Sequence, residues 1–379
     1  MAYWLEIYTT ILLFVILILS NSMIGCAKTG EELSVNGELN ISVRVNPAIE
    51  LVSTIHYLAG TGQYDEMLLP GYLGRVEGFF GEFRDHSAVQ KVKEMNRLHG
   101  INGSAPMALA VYLGEPPALA PVVDLSERPD ELEARWTAEL TDEFLVEARK
   151  FAADSKFMDF YAGQEDFYAL AIRNLKKTLK KEDLLSWYDA FFGYSPKNYV
   201  MYIGLINGSC NYGFSITQEN GEQEFISLLG ARWPDGKGAP TYRADWFRRV
   251  IVHEYCHSYI NPLINGNPET WKELGEELLV SHREKMIEHG YNAWNVLLFE
   301  YIVRACTVRY FETIDGLRSA RNQIAYEEKE GFGAIKGLVE LFDNYENDRT
   351  TYSDIKSFMP EIKKYFETFL SENKTNVRI

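Results

Sequence analysis

Residues 251–260 read IVHEYCHSYI and contain His253-Glu254-Tyr255-Cys256-His257, residue types that can hold a divalent metal and move a proton beside it. On a helix, imidazoles four positions apart share one face, so both can reach a single zinc ion at about 2.0 to 2.1 Å. Glu254 projects about 100° round from His253. Its carboxylate then stands beside the ion, where it can take a proton from a polarised water and hand it to a leaving group. With seven His and 54 acidic residues in 379 positions, chance supplies His-acid-x-x-His only about 0.02 times. That rarity favours a site over two packed histidines with a surface glutamate.

A reactive tetrahedral centre needs a third protein ligand and one open place. The extended form HExxHxxGxxH is excluded, because Ile260 and Leu263 occupy the positions of its glycine and last histidine. Spacing favours Glu276 or Glu277, 19 and 20 residues past His257. Composition favours Glu300, which lies in Asn295-Val296-Leu297-Leu298-Phe299-Glu300-Tyr301-Ile302-Val303-Arg304. A carboxylate buried among such neighbours needs a metal or a cation, and Arg304, one turn on, can brace it. Glu276 and Glu277 belong to a heavily charged stretch that a solvated helix face explains. Glu300 is therefore the expected ligand, with Glu276 or Glu277 as the alternative and a plain Glu300–Arg304 ion pair as the bland reading. A donor for a developing oxyanion is also expected, and Tyr212, Tyr259, His282, His289, Tyr291 and Tyr310 are all chemically able. His86 opens a helical segment, where a terminal or core histidine is commoner than a functional one.

These side chains need a scaffold. Residues 198–206, 212–217 and 224–229 are strand-like, with the turn signal Glu219-Asn220-Gly221 between the last two, which predicts a small antiparallel sheet. From Arg243 nearly to the end the pattern is helical, with breaks at Asn261-Pro262, Gly290, Asp315-Gly316, Gly331 and Pro360. Upstream, residues 131–192 are helical in composition. Pro116, Pro117, Pro121 and Pro129 mark a loop before them. Residues 41–45 alternate as a strand, Pro47 opens a helix, and a helix over 87–98 is expected, with Asp85 or Ser87 as cap and Gly100 as stop. The expected fold is α+β: a zincin-like metallopeptidase core of small sheet plus HExxH helix, with a large helical complement. Residues 41–195 form its mostly helical N-terminal region and 196–379 the catalytic region. Strands followed by an HExxH helix are the order in which zincin metalloproteases are built, with a sheet edge beside the metal to which an extended peptide can add.

Residues 11–19, ILLFVILIL, form an apolar run of nine, the length of a signal-peptide core and short of the roughly 20 a bilayer span needs. Ser20-Asn21-Ser22-Met23-Ile24-Gly25-Cys26 resembles a bacterial lipobox. The expectation is a signal peptide over 1–25, lipid on Cys26, and a polar tether over 26–40; an uncleaved anchor is the competing reading. The net charge of −16 argues against a nucleic-acid partner and against an anionic membrane surface, so attachment falls to the N-terminal lipid anchor. Cys210, Cys256 and Cys306 are odd in number and form no CxxC pair, as buried thiols would.

Several blocks together carry a family resemblance: Asn46-Pro47-Ala48-Ile49-Glu50-Leu51, Phe83-Arg84-Asp85-His86, HEYCHSYINP, Glu300-Tyr301-Ile302-Val303-Arg304-Ala305 and Tyr345-Glu346-Asn347-Asp348-Arg349. The chain resembles a bacterial family of secreted or lipidated proteins catalogued as a domain of unknown function. The resemblance implies a zincin assignment without a known substrate, with His253 and His257 as zinc ligands, Glu254 as base and Glu300 as ligand in its Glu-x-x-x-Arg setting. The function expected is a zinc-dependent metallopeptidase of the bacterial cell envelope, lipid-anchored or secreted, acting on a peptide or protein substrate. The alternative is a non-catalytic surface lipoprotein that uses the cleft for binding.

Overall fold

A computed structural model describes residues 31–35 and 39–376, apart from 67, 127, 128, 130, 131, 181–183 and 289. The apolar run, the lipobox and Cys26 lie outside the described residues. The chain opens with strands β1 (Glu31–Val35) and β2 (Leu39–Arg44), which pair antiparallel, so part of the stretch read as a tether is strand. Helix α1 (Pro47–Leu58) starts where Pro47 supplies a pre-set φ and the Asn46 side chain accepts from the amides of Ala48 and Ile49 at 2.8 and 3.1 Å. Ten of its twelve residues are buried, so it is a core helix. Then come α2 (Pro70–Phe80), α3 (Ser87–His99), α4 (Ala105–Ala110), α5 (Ala138–Asp154), α6 (Phe157–Ala162), α7 (Glu165–Leu179) and α8 (Leu185–Phe192).

Strands β3 (Asn198–Gly204), β4 (Tyr212–Thr217) and β5 (Gln223–Gly230) follow, and the sheet order is β1-β2-β3-β5-β4. The sheet is mixed, which corrects the antiparallel expectation: β2 with β3 and β3 with β5 are parallel, and only the two hairpins are antiparallel. The physical reason is visible in β3, where six successive residues are buried. A strand covered on both faces is the parallel, central kind. The connection from β2 to β3 runs through α1–α8, and one hydrophobic cluster extends from Ile41 to Leu370, so the two expected regions share a core.

The second half is α9 (Ala244–Asn265), α10 (Pro268–Ser281), α11 (Arg283–Glu288), α12 (Trp294–Asp315), α13 (Leu317–Lys329), α14 (Ile335–Asn347) and α15 (Ile355–Asn376). Neither Pro262 nor Pro360 ends a helix as expected; α9 and α15 continue through them. Each proline removes one backbone donor, a loss that packing on the rest of the helix offsets. Helix α9 packs on β4, β5 and α12, and α12 also packs on α10, α13 and α14. At Gly213 the edge strand β4 meets α9 so closely that a Cβ would lie 1.8 Å from the Glu254 carbonyl oxygen and 2.9 Å from the His257 Cβ. Only glycine permits that approach. The Ser258 hydroxyl then fastens the two elements by donating to the Phe214 carbonyl at 2.7 Å.

Candidate metal centre

Helix α9 presents His253 and His257 on one face, and α12 brings Glu300 to them from the opposite side. The two Nε2 atoms are 3.1 Å apart, His257 Nε2 is 3.5 Å from Glu300 Oε1, and His253 Nε2 is 3.7 Å from Glu300 Oε2. Ligands held 2.0 to 2.1 Å from a tetrahedral ion stand about 3.3 Å from one another. The His253–His257 and His257–Glu300 Oε1 separations bracket that value, and one ligand atom from each of the three residues lies within 4.8 Å of the others, so these residues fit a metal of that geometry. Among the described residues this is the one His/Cys/Asp/Glu cluster with such spacing. Glu276 lies outside it, exposed on α10 and 4.0 Å from Lys272, and Glu277 is not part of it either.

The electrostatics of the three groups differ in kind. Burial drives the His253 imidazole down to about 3, against the raising effect of Glu300, and so keeps it neutral as a ligand must be. Burial works the same way on His257, but hydrogen bonding to Glu300 and the charges of Glu300 and Glu254 outweigh it and leave it raised. Burial would raise the Glu300 carboxyl; Arg304 and the two imidazoles instead hold it well below the usual carboxylate range. Asn261 Oδ1 faces His257 Nδ1 at 3.1 Å and fixes that ring. Glu254 is buried, which pushes its carboxyl up to about 8.

Arg304 is the brace expected from the Glu-x-x-x-Arg spacing. Its Nε and Nη2 reach Glu300 Oε2 at 3.0 and 2.9 Å, leaving Oε1 turned to His257. What sequence reasoning missed is the support behind Arg304. Its Nη1 donates to Glu327 Oε2 on α13 at 2.6 Å, Gln323 Nε2 donates to Glu327 Oε1 at 2.5 Å, and Arg249 Nη1 donates to Gln323 Oε1 at 2.5 Å. Arg249 lies one turn before His253, so this chain of bonds leaves α9, passes through α13 and α12 and returns to α9 at the face that carries His253 and His257. Nothing in Tyr326-Glu327-Glu328-Lys329-Glu330 separates Glu327 from a solvated face.

The six oxyanion candidates are now distinguishable. Tyr259 is fully buried with its hydroxyl 2.5 Å from that of Tyr199, and Tyr310 is buried edge-on against Trp187. His282 turns Nδ1 to the Leu278 carbonyl. His289 lies outside the described residues. Tyr212 accepts from Gln63 at 3.1 Å. Tyr291 touches the brace, accepting from Arg304 Nη2 at 2.9 Å. His86 is structural: its Nδ1 caps α3 by accepting from the Ala88 amide, in place of the expected Asp85 or Ser87, and Nε2 faces Asp154 at 3.2 Å. Cys256 and Cys306 are buried free thiols, and Cys210 is partly exposed.

The family described as Domain of unknown function (DUF4932) matches residues 41–365, and the chain belongs to it. No curated protein and no solved structure matches it.

Proposed function

We propose that this DUF4932 member is a zinc-dependent metallopeptidase with a zincin-like core. The observation that carries the reading is the convergence of one ligand atom each from His253, His257 and Glu300 within 4.8 Å of one another, with His257 Nε2 3.1 Å from His253 Nε2 and 3.5 Å from Glu300 Oε1, and Glu254 buried on the next helical position. Two imidazoles and one carboxylate would hold zinc and leave a fourth place open. Bound there, zinc supplies Lewis acidity to a water and to a scissile carbonyl. Glu254 takes the proton from the water as base and gives it to the departing amine as acid. Burial raises the Glu254 carboxyl, which favours its holding the water's proton until the amine departs, while the charge of a bound zinc would favour the carboxylate that the base step needs. Arg304 keeps Glu300 ionised and oriented throughout.

Metal analysis of the purified protein, followed by a peptide-library digest with the wild type and Glu254→Gln, tests the reading. The wild type should carry about one zinc per chain and cleave peptides. Glu254→Gln should keep the zinc and lose several orders of magnitude in turnover. A zinc-free protein, or a variant that still cleaves, would remove the proposal. We also place the protein at the cell envelope through lipid on Cys26, on the strength of the N-terminal sequence alone. Among the described residues no helix is long and apolar enough to cross a membrane. Fatty-acid labelling of the wild type that persists in Cys26→Ser would overturn the anchor.

A further inference from the structure

Away from the triad, Arg232 is a partly buried cation with no ion pair among the described residues. Arg232, just past β5, lays its guanidinium over the Trp246 ring at 4.9 Å from the centroid and 5.8 Å from that of Trp233. Its Nη2 donates to the Ser209 carbonyl at 3.0 Å, and its buried Nε has no acceptor. No carboxylate among the described residues forms an ion pair with it; Glu66, facing the same loop, accepts from the Ser209 amide instead. The Tyr242 hydroxyl, on a ring stacked against Trp246, is a second buried group without a partner. Such groups are costly to leave uncompensated. Trp233 adds a separate sign: it is 38% exposed with φ +39°, a strained backbone for a bulky aromatic, and Arg243 stands over it at 5.7 Å.

The position relative to the triad follows from helix geometry. Trp246 precedes His253 by seven residues, two turns, so it shares the metal-facing side of α9 about 10.5 Å up the axis. Strand β4 runs in the same sense as α9. Ser209, ahead of the strand, is tied through Arg232 to the level of Trp246. Gly213 lies against Glu254 and His257, and the Phe214 carbonyl takes the Ser258 hydroxyl. Among the described residues no strand pairs with the outer side of β4. A peptide added antiparallel there would run against β4, with its C-terminal side directed at Arg232. The distance corresponds to about three extended residues.

We propose that Arg232, framed by Trp233 and Trp246, is an anion subsite that takes a carboxylate on the C-terminal side of a peptide substrate, about three residues beyond the scissile bond. The inference rests on the peptidase reading and adds a substrate class to it. A free C-terminal carboxylate and an acidic side chain present the same chemistry to a guanidinium, and the test separates them.

Zinc-loaded Glu254→Gln protein, which should not consume its ligand, is titrated by calorimetry with three N-acetylated peptides of one sequence. One ends in a free acid, one in an amide, and one in an amide with glutamate at the third position past the intended cleavage site. The acid should bind at least tenfold more tightly than the plain amide, and Arg232→Gln should abolish that difference while leaving the amide's affinity unchanged. Tight binding of the glutamate peptide as well assigns the subsite to acidic residues in general; tight binding of the acid alone assigns it to chain ends. Equal binding of acid and amide, or no binding of either, overturns the inference. Should Arg232→Gln fail to fold, the acid-to-amide ratio of the Arg232-bearing protein still decides it, and Arg232→Lys should keep part of that ratio. A merely structural Arg232 would move the melting temperature and not the ratio. Wild-type hydrolysis without discrimination sinks the subsite alone, whereas discrimination without any wild-type hydrolysis sinks the peptidase reading alone.

Discussion

Gly213→Ala is the most demanding perturbation of this architecture. The added methyl would lie 1.8 Å from the Glu254 carbonyl oxygen, 2.7 Å from its carbon and 2.9 Å from the His257 Cβ. Ordinary contact begins at 3.4 Å, so β4 and α9 must part by about 1.6 Å. Both partners are backbone or the base of a ligand side chain, and neither can swing aside as a long side chain would. Overpacking of a well-filled interior costs about 1 to 3 kcal/mol, and the upper end applies when two regular elements must separate. The movement also exceeds the roughly 0.5 Å within which a metal constellation must be held. Gly74→Ala provides the contrast. It sits inside α2, has ordinary φ and nothing within 4 Å of the new methyl, so the same chemical change should stabilise by about 0.5 to 1 kcal/mol. Denaturant unfolding of both variants, with zinc affinity by chelator competition, measures the pair. A Gly213→Ala protein as stable as the wild type with unchanged zinc affinity would refute the claim that edge-strand contact positions the site.

Three further outcomes follow from the same geometry. Glu300→Gln should lower zinc affinity sharply while the double change Glu276→Gln with Glu277→Gln leaves it alone, read by metal content alongside melting; the reverse result would restore the short spacing. Glu327→Gln should cost about 10- to 100-fold in zinc affinity through a loosened Arg304, and an affinity equal to the wild type in a folded variant would reduce Glu327 to a helix–helix contact. Glu50, fully buried on α1, is raised by burial from 4.5 to about 7 despite bonds from the Leu205 amide and the Tyr72 hydroxyl. Between those values the folded protein keeps a proton that the unfolded chain has lost, so stability falls as pH rises through the window and levels off above it, by about 3 kcal/mol. Glu50→Gln cannot titrate, so its stability relative to the wild type should improve from pH 5 to pH 8; a constant difference would show that Glu50 keeps no such proton.

Residue identity and periodicity made the first part of the site legible. HExxH states its own helix face, and Glu300 stood out because an acid amid Leu297, Leu298, Phe299, Tyr301 and Ile302 must be compensated somewhere. The parts that escaped are relations between elements. Strand pattern says which residues are buried and not which strand lies alongside, so the parallel placement of β2 against β3 was hidden even though β3's unbroken burial pointed that way. Pro262 and Pro360 carry the local signature of a helix stop, and only tertiary packing takes α9 and α15 past them. Glu327 escaped for the opposite reason. In a charged helix, one buried acid looks like its solvated neighbours until its partner, here Arg304, is known.

The bonds from Arg249 to Gln323, Glu327, Arg304 and Glu300 bear on what holds the site open for an ion. Two guanidinium groups and two carboxylates balance within that chain, so the charge on Glu300 is compensated before any metal arrives. Its Oε2 is taken by Arg304 and its Oε1 is left for the centre. The separations of the three ligand atoms are thus set by α9, α12 and α13 packing against one another. A binding site built in this way is pre-organised: the ion would gain its ligands without ordering the chain, unlike small domains in which metal binding is the folding free energy. The same arrangement favours Glu300 over Glu276 as the proposed ligand. Glu276 is solvated on α10 with only an exposed lysine beside it, so nothing there would hold a carboxylate in one direction.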